Sequence, residues 1–127
     1  MTITDARLAI SEVAEATGLS THTLRYYERA GLMLDPVDRA SSSHRRYSAG
    51  DVTWVEFLTK LRLTGMPIAT VREYADLVRR GDSTTDDRLD LLGRHRAAVL
   101  SQLDDITKSL AAIDKKIALY KEKATHA

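Results

Sequence analysis

Along the first third of the chain, apolar residues recur at the three- and four-residue steps of a helix rather than the two-residue step of a strand. Ile10, Val13 and Ala14 set that spacing over about Ser11–Thr17, with Ser11 placed as an N-cap and Gly18 as the stop. Ser20 is placed to cap a second helix, Thr21–Ala30, whose Leu24, Tyr27 and Ala30 share one face, and Gly31 ends it. Two short helices joined by Thr17-Gly18-Leu19-Ser20 predict a helix-turn-helix. Between Leu32 and Tyr47 the helical spacing disappears. Asp35-Pro36, Asp38 and Ser41-Ser42-Ser43 before His44-Arg45-Arg46-Tyr47 predict a short hairpin or loop with a polar tip. Ser48 and Asp51 then form a capping-box pattern ahead of Val52, Val55, Leu58 and Leu61 (or Phe57), and Gly65 closes this third helix. Pro67 suits the first turn of a fourth, running to about Arg80 with Ile68, Val71, Tyr74, Ala75 and Val78 apolar and Gly81 as the stop.

The remainder, about Thr85 to Ala124, has a different pattern. Leu89, Leu92, Arg96, Val99, Leu103, Ile106, Leu110, Ile113, Ile117, Tyr120 and Ala124 follow one another in alternating steps of three and four. All are apolar except Arg96, and alternation sustained this long is the seam of a coiled coil. A helix of about 40 residues is roughly 60 Å long and cannot bury so narrow a stripe against a small globule. A second copy of the chain is its natural partner, which predicts a homodimer through Val99, Leu103, Ile106, Leu110, Ile113 and Ile117. Arg96 either marks a polar gap in the seam or pairs with an acid such as Asp90 or Asp104.

Composition narrows the function classes. The 127 residues contain no cysteine, which removes disulfides, thiolate metal ligands and redox thiols. His22, His44, His95 and His126 are too scattered to suggest a metal site. No apolar run is long enough to span a membrane, and the N-terminal residues lack the basic-then-apolar pattern of a signal peptide, so a cytoplasmic protein is expected. No nucleophile–base pairing or Gly-rich phosphate loop suggests an enzyme, and no cofactor is expected.

Net charge is only +1, yet its placement is uneven. Between Gly18 and Tyr47 lie five Arg (25, 29, 39, 45 and 46) and three acids (Glu28, Asp35 and Asp38), giving +2. Arg is suited to bidentate contact with phosphate and guanine. On the second helix Arg25 and Tyr26 lie away from Leu24, where a guanidinium and a phenol could donate to phosphates or base edges. On the residues alone, a merely solvated face is an equal reading.

The order Ile10-Ser11-Glu12-Val13-Ala14, Leu24-Arg25-Tyr26-Tyr27-Glu28, Gly31-Leu32, Arg45-x-Tyr47 and Gly65-Met66-Pro67-Ile68, followed by a terminal coiled coil, resembles the MerR family of bacterial transcription regulators. The resemblance covers about Leu8 to Lys123. Trp54-Val55-Glu56-Phe57 and Arg80-Gly81-Asp82 are most similar to its AdhR-like, aldehyde-responsive subgroup. It implies an all-α fold with a small β wing: a winged helix-turn-helix DNA-binding domain over residues 8–81 and a dimerisation helix over 82–127, paired as an antiparallel coiled coil.

The resemblance also implies site residues and partners. Thr21, His22 and Arg25 would lie near base edges, and Tyr26 and Tyr27 near phosphates, although Tyr27 also has core spacing. Arg45 and Tyr47 would face DNA from the wing, and Arg62 would grip the flanking backbone. The family's wing usually carries Gly-Tyr before that Arg, where this chain has Ser43-His44. The implied partners are double-stranded promoter DNA, a second copy of the chain, RNA polymerase at the promoter and a small-molecule effector. Members of the family bind an operator in a long promoter spacer and distort it, which contacts on two half-sites can offset energetically. Lys60 stands where the aldehyde-responsive subgroup has its reactive cysteine. The rival reading is a coiled-coil interaction module that uses its helix-turn-helix to dock protein.

Overall fold

The computed structural model describes residues 8–34, 38–39 and 45–126, and for residues 38, 39, 45 and 46 the backbone alone. Strand β1 (Leu8–Ala9) leads directly into α1 (Ile10–Thr17), and α2 (Thr21–Arg29) follows after three residues. Ser11 does not cap α1: it lies inside the helix. The cap is Ala9, whose backbone N–H donates to Glu12 Oε1 at 2.9 Å, because a carboxylate in the first turn reaches back to the donor that Ala9 cannot satisfy itself. Gly18 adopts the left-handed conformation (φ 75°) and donates its N–H to the Ala14 carbonyl, which ends α1 and redirects the chain.

Strands β2 (Asp38–Arg39) and β3 (Arg45–Tyr47) form the expected hairpin, paired antiparallel with Asp38 opposite Arg46 and Arg39 opposite Arg45. β1 adds to the other side of β3, with Leu8 opposite Tyr47, so the sheet order is β1-β3-β2. That third strand was not predicted. The hairpin tip, including Ser41-Ser42-Ser43 and His44, lies outside the described residues.

Helices α3 (Ala49–Leu63) and α4 (Ile68–Arg79) complete the head. Ser48 and Asp51 cap α3 reciprocally: Ser48 Oγ accepts from the Asp51 N–H at 3.1 Å, and Asp51 Oδ2 accepts from the Ser48 N–H at 2.9 Å. Pro67 sits at the N-cap of α4. Val13, Leu24, Leu32, Tyr47, Val55, Leu58, Met66 and Val71 are fully buried, so α1, α2, β3, α3 and α4 each contribute to the core. Trp54 stacks on Tyr74 (5.7 Å between ring centres, 11° between planes), and Phe57 meets Tyr74 at 5.8 Å, which ties α3 to α4. Burial raises the Tyr74 phenol above its ordinary 10.0, with Arg88 pulling the other way.

After a 3₁₀ turn at Asp82–Thr84, α5 runs from Thr85 to Thr125. Thr84 Oγ1 donates to the carbonyls of Leu77 (2.6 Å) and Gly81 (2.8 Å), which closes the turn after α4. The chain divides into two compact units between Leu89 and Asp90, a little more than one turn into α5. In the second unit Leu103, Ile106, Leu110, Ile113 and Ile117 are between 47% and 63% exposed, an apolar stripe with no cover from its own helix. Neither acid considered for Arg96 is available to it. Asp90 pairs with Arg94 at 3.2 Å and Asp104 with Lys108 at 2.9 Å, both at the i,i+4 spacing that brings helix side chains together, whereas Arg96 lies six and eight residues away.

Candidate nucleic-acid interface

Helix α2 is held at its start by Ser20, whose Oγ accepts from the Thr23 N–H at 3.0 Å. At its other end Gly31 (φ 73°) lets Leu32 return its N–H to the Tyr27 carbonyl at 3.0 Å. Leu24 and Tyr27 are buried, so at 100° per residue the opposite face is that of His22, Arg25, Tyr26 and Arg29. His22, Arg25 and Arg29 are exposed, Tyr26 is 38% exposed, and Thr21 lies half-buried beside them. The helix presents two guanidiniums, an imidazole and a phenol along one side, and an α-helix about 10–12 Å across with its side chains suits a major groove about 12 Å wide.

Arg29 was not among the residues expected at this face. The signal was present, since Arg29 stands four residues after Arg25 and seven after His22, both helix-face spacings.

Two tyrosines expected to meet DNA are core residues. Tyr27 is buried against the head, as its spacing with Leu24 allows, and its ring meets that of Tyr26 at 6.3 Å with 53° between the planes. Tyr47 is fully buried, and its hydroxyl donates to Glu28 Oε2. A buried phenol needs a hydrogen-bond partner, and the carboxylate on the flank of α2 provides one. The direct DNA contact expected of Tyr47 is therefore replaced by a link between the wing strand β3 and α2.

Arg62 is exposed at the end of α3, with Nη1 donating to the Met66 carbonyl at 2.6 Å, which ties it to the turn before α4 and separates it from the α2 face in sequence and element. Arg45 lies in β3, with its side chain outside the described residues. Lys60 is exposed on α3. Among the described residues there is no group of three or more His, Asp or Glu able to hold a metal, and no helix is long and apolar enough to cross a membrane.

Residues 8–77 match the family model described as MerR HTH family regulatory protein, and residues 52–120 match one described as MerR, DNA binding. The HTH-type transcriptional regulator AdhR of Bacillus subtilis is 40% identical over 91 residues, which span 72% of this chain and 64% of AdhR, so under two-thirds of that relative is represented. The crystal structure of HiNmlR, a MerR family regulator lacking the sensor domain and bound to promoter DNA, superposes with a TM-score of 0.83 at 30% identity over 92% of each chain. A MerR family transcriptional regulator from Bacillus thuringiensis gives a TM-score of 0.80 at 32% identity, covering 89% of this chain and 98% of that one.

Proposed function

Because this chain belongs to the MerR family of helix-turn-helix regulatory proteins, we propose that it acts on double-stranded promoter DNA as a homodimer and controls transcription there by distorting the operator between the promoter elements. The observation that carries this is the polar face of α2. His22, Arg25, Tyr26 and Arg29 stand opposite a buried Leu24–Tyr27 face in a chain similar to a regulator seen on promoter DNA.

In this reading Thr21, His22 and Arg25 approach base edges, and Tyr26 and Arg29 approach phosphates. Arg45 from the wing and Arg62 from the end of α3 bind the flanking backbone. The exposed stripe of α5 pairs with that of a second copy in an antiparallel coiled coil, placing two α2 helices on the two half-sites of a pseudo-palindrome. RNA polymerase is the partner at the promoter, and a small-molecule effector bound by α3, α4 or the dimer interface is the input. The site of action is the cytoplasm. The relatives are transcriptional regulators rather than enzymes, and no catalytic role is proposed for this chain.

A footprint on the DNA upstream of the chain's own gene tests the reading. Protection should fall steeply as salt rises, because Arg contacts release counterions, and should be lost in Arg25→Ala. Protection that is absent in the wild type, or unchanged in Arg25→Ala, would instead favour a protein-docking role for the helix-turn-helix.

A further inference from the structure

The carbonyls that close α2 are held from outside the helix. Arg72 Nε donates to the Ala30 carbonyl at 3.0 Å, Trp54 Nε1 donates to the Leu32 carbonyl at 2.7 Å, and Arg79 Nη2 donates to the carbonyls of both Gly31 and Met33. Four consecutive carbonyls, Ala30 to Met33, thus each accept a side-chain donor from α3 or α4. The donors lie 22 to 48 residues further along the chain.

The carbonyls of Tyr26, Tyr27 and Glu28 accept the N–H groups of Ala30, Leu32 and Gly31, whereas the four braced carbonyls belong to the C-cap Ala30 and the three residues after it, where water ordinarily serves a surface carbonyl. Here two guanidiniums serve instead. Arg72 and Arg79 are seven residues apart, two turns along the same side of α4, so that one helix face meets the whole turn. Their positive charge also complements the negative end of the α2 dipole. Trp54 adds a third point. Its ring stacks on Tyr74 of α4 while its N–H holds Leu32, so the packing of α3 on α4 and the end of α2 share one side chain.

We propose that Arg72, Arg79 and Trp54 are positioning residues for DNA recognition, a brace that fixes the axis of α2 relative to α3 and α4 so that His22 and Arg25 reach base edges in register. The proposal rests on the DNA-binding reading above. Both arginines are exposed cations that could be taken for phosphate contacts. Arg72 Nε and Arg79 Nη2 are committed to backbone carbonyls, which holds each guanidinium against the end of α2, and since a guanidinium keeps further N–H groups the salt series below separates bracing from phosphate contact.

The test uses the full chain with two duplexes, the upstream fragment protected in the footprint and a scrambled duplex of equal length and composition, each titrated over a salt series. Arg79→Met should lower affinity for the protected fragment ten-fold or more. Affinity for the scrambled duplex and the slope of log K against log salt should not change. Arg72→Met should act in the same direction with a smaller loss, because Arg72 makes one bond where Arg79 makes two. Arg79→Lys should recover only part of the affinity, because an ammonium lacks the planar fork of a guanidinium. A variant that is partly unfolded loses affinity for both duplexes in equal proportion, so the ratio of the two reads positioning independently of folding. The brace is overturned if Arg79→Met leaves that ratio unchanged, and a salt slope reduced by about two, one contact from each protomer of the homodimer, would reassign Arg79 as a phosphate contact. A wild-type chain that binds neither duplex removes the DNA-binding reading, and the brace with it.

Discussion

Replacing Ile106 by Ala should weaken self-association of the chain by about two orders of magnitude while leaving α5 helical. The substitution removes three side-chain carbons, worth about 2.4 kcal/mol at ~0.8 kcal/mol per buried methylene. Ile106 is 63% exposed on its own helix, so roughly two-thirds of that transfer energy remains to be gained from a partner. This leaves about 1.5 kcal/mol per protomer, and a two-fold dimer loses it twice, about 3 kcal/mol in all. At about 1.4 kcal/mol per factor of ten, the dimer dissociation constant rises roughly a hundred-fold. Any cavity left at the interface adds to the loss. Ala has the highest helix propensity, so α5 itself is not weakened. Lys108→Ala is the control: Lys108 lies on the opposite side of α5, and its exposed pair with Asp104 contributes little. Sedimentation equilibrium of the wild type and both variants, with far-ultraviolet circular dichroism to monitor helix content, measures the difference. A wild type that is monomeric at micromolar concentration would refute the reasoning, as would an Ile106→Ala chain that dimerises as tightly as Lys108→Ala.

Three further outcomes test the head. Tyr47→Phe keeps the buried ring but removes the hydroxyl that Glu28 accepts, and should lower stability by about 1–2 kcal/mol, read as a drop in thermal midpoint at fixed protein concentration. Ser48→Ala removes the acceptor of the Asp51 N–H and should cost about 1 kcal/mol, seen as a lower urea midpoint with unchanged m-value. Tyr74 has a folded-state pKa raised above 10.0, so its contribution is complete below pH 10.0 and is lost as pH rises through the higher folded value. Tyr74→Phe should therefore reduce the alkaline decline in urea midpoint, and an unaltered decline would place that titration elsewhere.

The parts of the fold that were legible are those fixed by short-range chemistry. Ser20, the Ser48–Asp51 box and the stops at Gly18, Gly31 and Gly65 each act within four or five residues, so their roles follow from spacing alone. The long helix α5 was legible because one alternation of three- and four-residue steps runs from Val99 to Ala124 without glycine or proline, but near its start that alternation passes over Leu91, which is buried, and includes Leu89, which is exposed. Other features depend on neighbours distant in sequence. Strand β1 is two residues long and has no period; it exists because β3 offers it an edge. Ser11 has the composition of a cap, but Glu12 reaching back to Ala9 moves the start of α1 forward by one residue. On α2, Arg25 and Tyr26 could be placed away from Leu24 by helical spacing, whereas Thr21 and His22 followed only from the family resemblance. Tyr47 could not be placed, because a tyrosine two residues after an arginine in a strand carries no sign of the Glu28 carboxylate waiting 19 residues earlier.

The arrangement separates reading from holding. On the polar face of α2, His22, Arg25 and Arg29 are exposed, while the flank of the helix is held by Tyr47 through Glu28 and its C-terminal end by Trp54, Arg72 and Arg79. The 127 residues contain no cysteine, so no thiol among them can be a switch. A hundred-fold change in operator occupancy requires about 2.7 kcal/mol of difference between two states. One or two hydrogen bonds from a charged donor, at about 1.5–3 kcal/mol each, are of that size. An effector that moved α4 enough to break the Arg79 bonds to Gly31 and Met33 would therefore release α2 from its set pose without unfolding the head, at an energetic cost comparable with the regulation it produces.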